Sequence, residues 1–150
     1  MSAKYSTSGT GTAGATATCV SIDQVATNHR PIVYEIIFGT TTAPADAAML
    51  VKLWRFTVDG TATAVVPLPL DPASPATTVT GGEDHSVEPT YTAAGECLQF
   101  GLNQQATFRW VVPPDEGFVI PATADNGIGI QVSTISAGTP TMAGTILHVE

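Results

Sequence analysis

From His85 onward, the chain is punctuated at short intervals by residues that regular elements do not tolerate in their interiors. The runs HSVEPTYT, ECLQFGLN, ATFRWVVP, GFVIPA, GIGIQVSTI and TMAGTILHVE are broken by turn chemistry that includes PPDEG, TADNG and SAGTP. Most of the runs are rich in the β-branched and aromatic residues that pack well on a pleated surface. Strand candidates recurring about every 8–12 residues are the signature of a sandwich or barrel. No segment carries an apolar stripe at the 3.6-residue helical period with caps at its ends.

The first half reads the same way. ATCVSIDQV alternates polar and apolar, as a half-buried strand does. RPIVYEIIFG reads as an inner strand ending at Gly39, and TTTAPADAA as a loop. MLVKLWRFTV suits a helix on propensity alone. Its sets Leu50, Lys52, Trp54, Phe56 and Val51, Leu53, Arg55, Thr57 instead fit the two faces of a strand. Asp59-Gly60 then signals a hairpin into TATAVVPL. Residues 67–82 carry four prolines and a Gly pair, which predicts a long surface loop with one helical turn at DPAS. Residues 1–17 are almost wholly Ser, Thr, Gly and Ala and read as a flexible or extended N-terminal arm. The expected architecture is all-β: that arm, then a single domain over 18–150. The domain is an antiparallel jelly-roll-like β-sandwich of about eight to ten short strands.

Charge narrows the function classes. Thirteen acidic residues against five basic ones give a net charge of −8. Nucleic acid needs a basic footprint to neutralise phosphates, and anionic membranes need the same, so neither is an expected partner. No apolar run approaches a membrane span, and the start lacks the apolar region of a secretory signal. Folding in a cytosol is the expectation. Charged residues are only 12% of the chain, about half the usual share. The surface must therefore rely on Thr, Ser, Ala, Asn and Gly, a composition suited to large protein contacts.

No local pattern specifies catalysis, a metal or a cofactor. His29, His85 and His148 are scattered without ligand spacing and read as isolated surface or loop residues. Glu83, Asp84 and Glu88 surround His85 in GGEDHSVEP without the EF-hand pattern, which suggests a solvated acidic loop with Glu88 heading a strand. GTGTAG follows no strand and opens no helix, so it fails as a phosphate loop. Cys19 and Cys97 fall in expected strands and read as buried thiols, with a disulfide, which a cytosol disfavours, as the alternative. The expectation is a protein that is not an enzyme.

Arg30, Arg55 and Arg109 are the only arginines, each in a strand context beside an aromatic residue or Pro. A guanidinium there bridges carboxylates or stacks on rings, within the chain or between subunits. These three, with Lys4 and Tyr5 of the arm, form the expected interface set.

RPIVYEIIFGTTTAPADAAMLVKLWRFT, LDPASPATTVTGGEDHSVEPTYTAAG and LNQQATFRWVVPPDEGFVIPATADNGIGI resemble the jelly-roll decoration (cement) proteins of tailed-phage heads. The resemblance covers roughly residues 20–150 and is most specific from Leu102 to Ile130. It implies a structural virion protein, made in the host cytoplasm and placed on the outer capsid surface. There it would bridge major capsid proteins as a homo-oligomer, dimer or trimer. It carries over no catalytic residue. The alternative is a carbohydrate-binding or host-attachment module, for which Trp54, Trp110, Tyr5, Tyr34 and Tyr91 are the candidate stacking residues, although most lie in apolar runs where rings pack into a core.

Overall fold

A computed structural model describes residues 2–25 and 28–150. It is all-β, with two antiparallel sheets packed face to face. The strands are β1 (Lys4–Thr12), β2 (Ala17–Gln24), β3 (Ile32–Thr42), β4 (Ala48–Val58), β5 (Thr61–Val65) and β6 (Leu68–Pro69). They continue with β7 (Val79–Val87), β8 (Thr90–Asn103), β9 (Phe108–Val111), β10 (Phe118–Val119), β11 (Gly127–Ile135) and β12 (Thr141–Val149). Twelve strands form, more than the sequence suggests, because three short or glycine-bearing ones are poorly marked.

One sheet, here sheet A, runs β10-β3-β12-β1-β6, with β9 also on β3; sheet B runs β5-β7-β2-β11-β4-β8. The backbone of the fold is four long-range pairs: β1 with β12, β2 with β11, β3 with β9 and β10, and β4 with β8. These pairs alternate between the sheets, as in an antiparallel ribbon rolled into a jelly roll. Among the described residues no two consecutive strands pair. Turns that look like hairpins in sequence therefore carry the chain from one sheet to the other or around a corner.

Several expectations change as a result. Residues 4–12 are not a free arm. They form β1, paired with β12 along its whole length and with β6 at its start. Tyr5, Thr7, Gly9 and Gly11 point inward and are buried, while Ser8, Thr10 and Thr12 point out and are exposed. The run looks disordered because, after Tyr5, its inward positions are small. They must be small here: a Cβ on Gly9 would stand 2.7 Å from the Glu83 Cβ and 3.2 Å from the Val20 Cβ.

Asp59-Gly60 makes no hairpin, because β5 pairs with β7 rather than β4. The ribbon β4–β5 instead runs antiparallel to β7–β8, with Val58 opposite Thr90 and Thr61 opposite Val87. It passes from one edge of sheet B to the other. The 67–82 stretch is only partly loop, since β6 lies in it and β7 starts at Val79 and includes the Gly pair. DPAS forms a turn rather than a helix, closed by Ser74 N donating to Asp71 O at 2.9 Å and Ala73 N to Asp71 Oδ1 at 2.9 Å. PPDEG does not reverse the chain either. Val111 faces Glu35 and Phe118 faces Val33, so β9 and β10 are one edge strand interrupted by an excursion opposite Tyr34.

The core lies between the sheets. Val20, Ile22, Ile36, Phe38, Val51, Leu53, Ile128, Ile130, Met142 and Ile146 are fully buried. A buried aliphatic or aromatic side chain of this kind contributes roughly 1.5–3 kcal/mol. Cys19 belongs to this core and Cys97 is half-buried; both thiols are free.

Candidate interaction surface

The expected interface residues separate into distinct environments. Arg109 and Glu35 sit on β9 and β3, and Arg109 Nε donates to Glu35 Oε1 at 2.6 Å. This pair raises the Arg109 guanidinium further above its usual range. Arg109 therefore meets a carboxylate of its own chain. Arg55 points between the sheets and its Nη2 donates to Val119 O at 3.2 Å, tying sheet B to the end of β10. Tyr5 is 1% exposed, stacks on His148 at 5.2 Å and donates to Pro75 O at 2.9 Å, so it is a core residue and not a contact residue.

Only Lys4 and Arg30 come together at the surface. Both line a cleft of about 410 Å³ with Ile32, Pro114, Asp115 and Glu150, at the end of sheet A where β1 and β3 begin. Neither forms an ion pair among the described residues. A neighbouring cleft of about 490 Å³ lies between residues 2–4 and the 70–75 turn. Burial would raise the Glu150 carboxyl at this end. Hydrogen bonds with His148, Thr77 and the Thr78 amide, with the charge of His148, outweigh that and hold it down to about 2.

The outer face of sheet A is open. Its rows are Ser6, Leu147, Glu35 and Val111; Ser8, Thr145, Ile37 and Arg109; Thr10, Ala143 and Gly39; and Thr12 and Thr141. Hydroxyls link neighbouring strands, Ser8 to Thr145 at 2.9 Å and Thr42 to Thr141 at 2.7 Å. The Glu35–Arg109 pair neutralises itself, so these rows carry no net charge. In a chain of net charge −8, that is the neutral face.

The outer face of sheet B is covered by the corner of its own ribbon, residues 58–61 and 87–91. Beneath it, the Glu88 carboxylate accepts from Thr18 N at 3.0 Å, from the Thr18 hydroxyl and from Gln131 Nε2 at 3.2 Å. Thr18 also bonds the Tyr91 hydroxyl at 2.7 Å, and burial pushes that phenol up. Burial likewise raises the Asp23 carboxyl, against a 2.6 Å hydrogen bond from Thr80. GGEDHSVEP is thus no solvated acidic loop. Most of it is strand β7, and Glu88 sits in the link to β8 instead of heading a strand. Two of its acids make hydrogen bonds: besides Glu88, Glu83 accepts from Thr10 N at 2.6 Å and closes the free edge of β1, while Asp84 is exposed.

The corner also brings Ser21, His85 and Asp59 together. His85 Nε2 lies 3.1 Å from Ser21 Oγ and 3.9 Å from Asp59 Oδ1. A nucleophile relay needs serine and carboxylate on opposite ring nitrogens and an accessible hydroxyl. Here both approach the same nitrogen, and Ser21 is fully buried. The trio pins the corner to the sheet. Only His29 is the exposed histidine expected from sequence; the His85 and His148 side chains are enclosed. Among the described residues no three His, Cys, Asp or Glu side chains are placed to share a metal ion.

The aromatic candidates for glycan stacking use their faces internally. Tyr34 is 6% exposed, Trp110 stacks on Phe118 at 4.8 Å, and Trp54 stacks on Tyr91 at 4.9 Å with Lys52 Nζ 4.4 Å from its ring. The chain was compared with protein-family models, curated proteins and solved structures, and none matches.

Proposed function

We propose that the protein is a structural decoration (cement) protein that binds the outer surface of a tailed-phage head and braces its major capsid lattice. The observation that carries this reading is the asymmetry between the sheets. Sheet B is roofed in part by its own ribbon, whereas sheet A offers a broad face without net charge, in which Ser, Thr, Ala and Gly surround Leu147, Ile37, Val111 and the Glu35–Arg109 pair, with Lys4 and Arg30 at one end. A flat face of this kind suits another protein surface better than a small substrate, which calls for a concave site. The resemblance of the sequence to jelly-roll decoration proteins points the same way. In this reading the protein acts by burying surface, without turnover, and the glycan-binding alternative is weakened because its aromatic faces are already stacked.

The test uses phage heads assembled without the protein. Purified protein should co-sediment with them and raise their melting temperature. Thr145→Arg, which plants a long cation on the open face, should abolish both effects while leaving the protein's own melting temperature nearly unchanged. Wild-type protein that neither co-sediments nor shifts the melt sinks the proposal.

A further inference from the structure

A sheet edge presents unpaired backbone groups, and monomers guard such edges with short strands, prolines, charges or bulges. Three of the four edges here are guarded. The two residues of β6 follow Pro67 and include Pro69, β5 has five residues with Pro67 two positions beyond it, and the β9–β10 edge is broken by Pro113 and Pro114. β8 is different. It has 14 residues, no proline, no lysine and one charge, Glu96, and it pairs on one side only. Its register shifts, and Ala94 with φ 55°, all lie before Leu98, so the run Leu98–Asn103 is regular and unguarded.

The side of the sandwich next to this run is also incompletely closed. Leu98, Phe100 and Leu102 of β8 and Phe108 and Trp110 of β9 pack on the core yet stay partly exposed. Phe100 stacks on Phe108 at 3.7 Å, bridging the two sheets at their open side.

We propose that β8 pairs with the β8 of a second copy, antiparallel, across a two-fold axis at Phe100. The sequence is self-complementary about that point. Phe100 would face its equivalent, Leu98 would face Leu102 on the core side, and Gln99 would face Gly101 on the outer side. Glu96 would fall opposite Gln104, just past the strand end, so no like charges meet. An interface built from the same patch on both copies is what a two-fold dimer requires. The pairing joins the two B sheets and covers the aromatic seam. It does not depend on what the open face of sheet A contacts.

The test is sedimentation of the purified full chain under reducing conditions. Wild type should run at twice 15.4 kDa at protein concentrations on the order of 100 µM. A side chain at Gly101 meets nothing within 4 Å, so changes there leave the protomer fold undisturbed. Gln99→Lys with Gly101→Lys sets lysines opposite lysines twice and should weaken the dimer about tenfold or more. Gln99→Lys with Gly101→Glu sets opposite charges in the same register and should hold the dimer within roughly threefold of wild type. Circular dichroism confirms that each variant is folded. A wild-type monomer or trimer overturns the proposal, and so does equal weakening, or no weakening, by the two double variants.

Discussion

Replacing Tyr5 with Ala separates a packed strand from a loose arm. In an arm, the substitution changes nothing. In β1, Tyr5 is 1% exposed, its ring stacks on His148 at 5.2 Å, and its hydroxyl donates to Pro75 O at 2.9 Å. Truncating a buried aromatic to Ala removes its transfer free energy and leaves a cavity, together about 3–5 kcal/mol. Re-solvation of the Pro75 carbonyl, which faces a surface cleft, keeps the total near 4 kcal/mol. For a 150-residue chain each kcal/mol shifts the melting temperature by about 2–4 °C, so the expected drop is about 8–16 °C. Tyr5→Phe isolates the hydrogen bond and should lose about 1 kcal/mol. Ser8→Ala, on the exposed side of the same strand, should change stability by less than about 0.5 kcal/mol. Urea unfolding followed by the fluorescence of Trp54 and Trp110 reads all three. If Tyr5→Ala unfolds within about 0.5 kcal/mol of wild type, the packing of β1 as described is wrong.

Three further outcomes test other parts of the structure. Burial raises the Cys19 thiol to about 12 and leaves it 0% exposed, so at pH 8 a disulfide-exchange reagent should label Cys97 first and Cys19 only on unfolding; equal rates would contradict this. Gly117→Ala would place a Cβ 1.9 Å from Val33 O and should destabilise by roughly 2–4 kcal/mol in the same urea assay, while Gly101→Ala, with open space around it, should be near neutral; similar losses would refute the close approach. Glu150 is held down to about 2 in the folded state, below an unfolded value near 4.3, so its contribution is complete above the unfolded value and disappears as pH falls toward 2. After allowance for solvent screening this is about 1–2 kcal/mol, and Glu150→Gln should flatten that part of the stability–pH curve; an unchanged curve would count against it.

The strands were far more legible than their partners. β2, β4, β11 and β12 stand where alternation or β-branched runs place them, because those signals come from residues two apart. The two faces read for MLVKLWRFTV also hold, with Val51 and Leu53 in the core and Lys52 and Trp54 outside. Pairing is set by residues as far apart as Lys4 and Val149, and no local pattern encodes that. Turn chemistry at Asp59-Gly60 and PPDEG therefore predicted reversals that the rolled ribbon does not make. β1 was missed for a different reason. Hydrophobicity marks a strand that buries large side chains, whereas β1 buries Thr and Gly because β2 and β7 lie too close for more. For the site, sequence identified the rare cations but not their fates. Arg109 met Glu35 and Arg55 met a backbone carbonyl, which left Lys4 and Arg30 at one end without an ion pair among the described residues.

The distribution of charge over the fold follows from the same geometry. Covering part of the outer face of sheet B with the chain's own ribbon encloses polar groups, and several of these bond one another: Glu88, Thr18, Tyr91 and Gln131. Buried polar groups need partners, so this roof fixes side-chain identities that a solvated face would leave free. Sheet A carries no such roof. Its outer residues are mostly small or hydroxyl-bearing, and its one acid, Glu35, is paired with Arg109, although the chain is strongly acidic; in an isolated soluble protein those positions would be the natural places for Asp and Glu. Apart from Glu35, the acids lie away from this face, Glu83 and Asp84 in β7, Asp59 and Glu88 at the corner, and Glu96 in β8 among them. A large face whose charges cancel, with two cations at its end that make no ion pair among the described residues, is what contact with another protein surface favours and what solubility alone does not require.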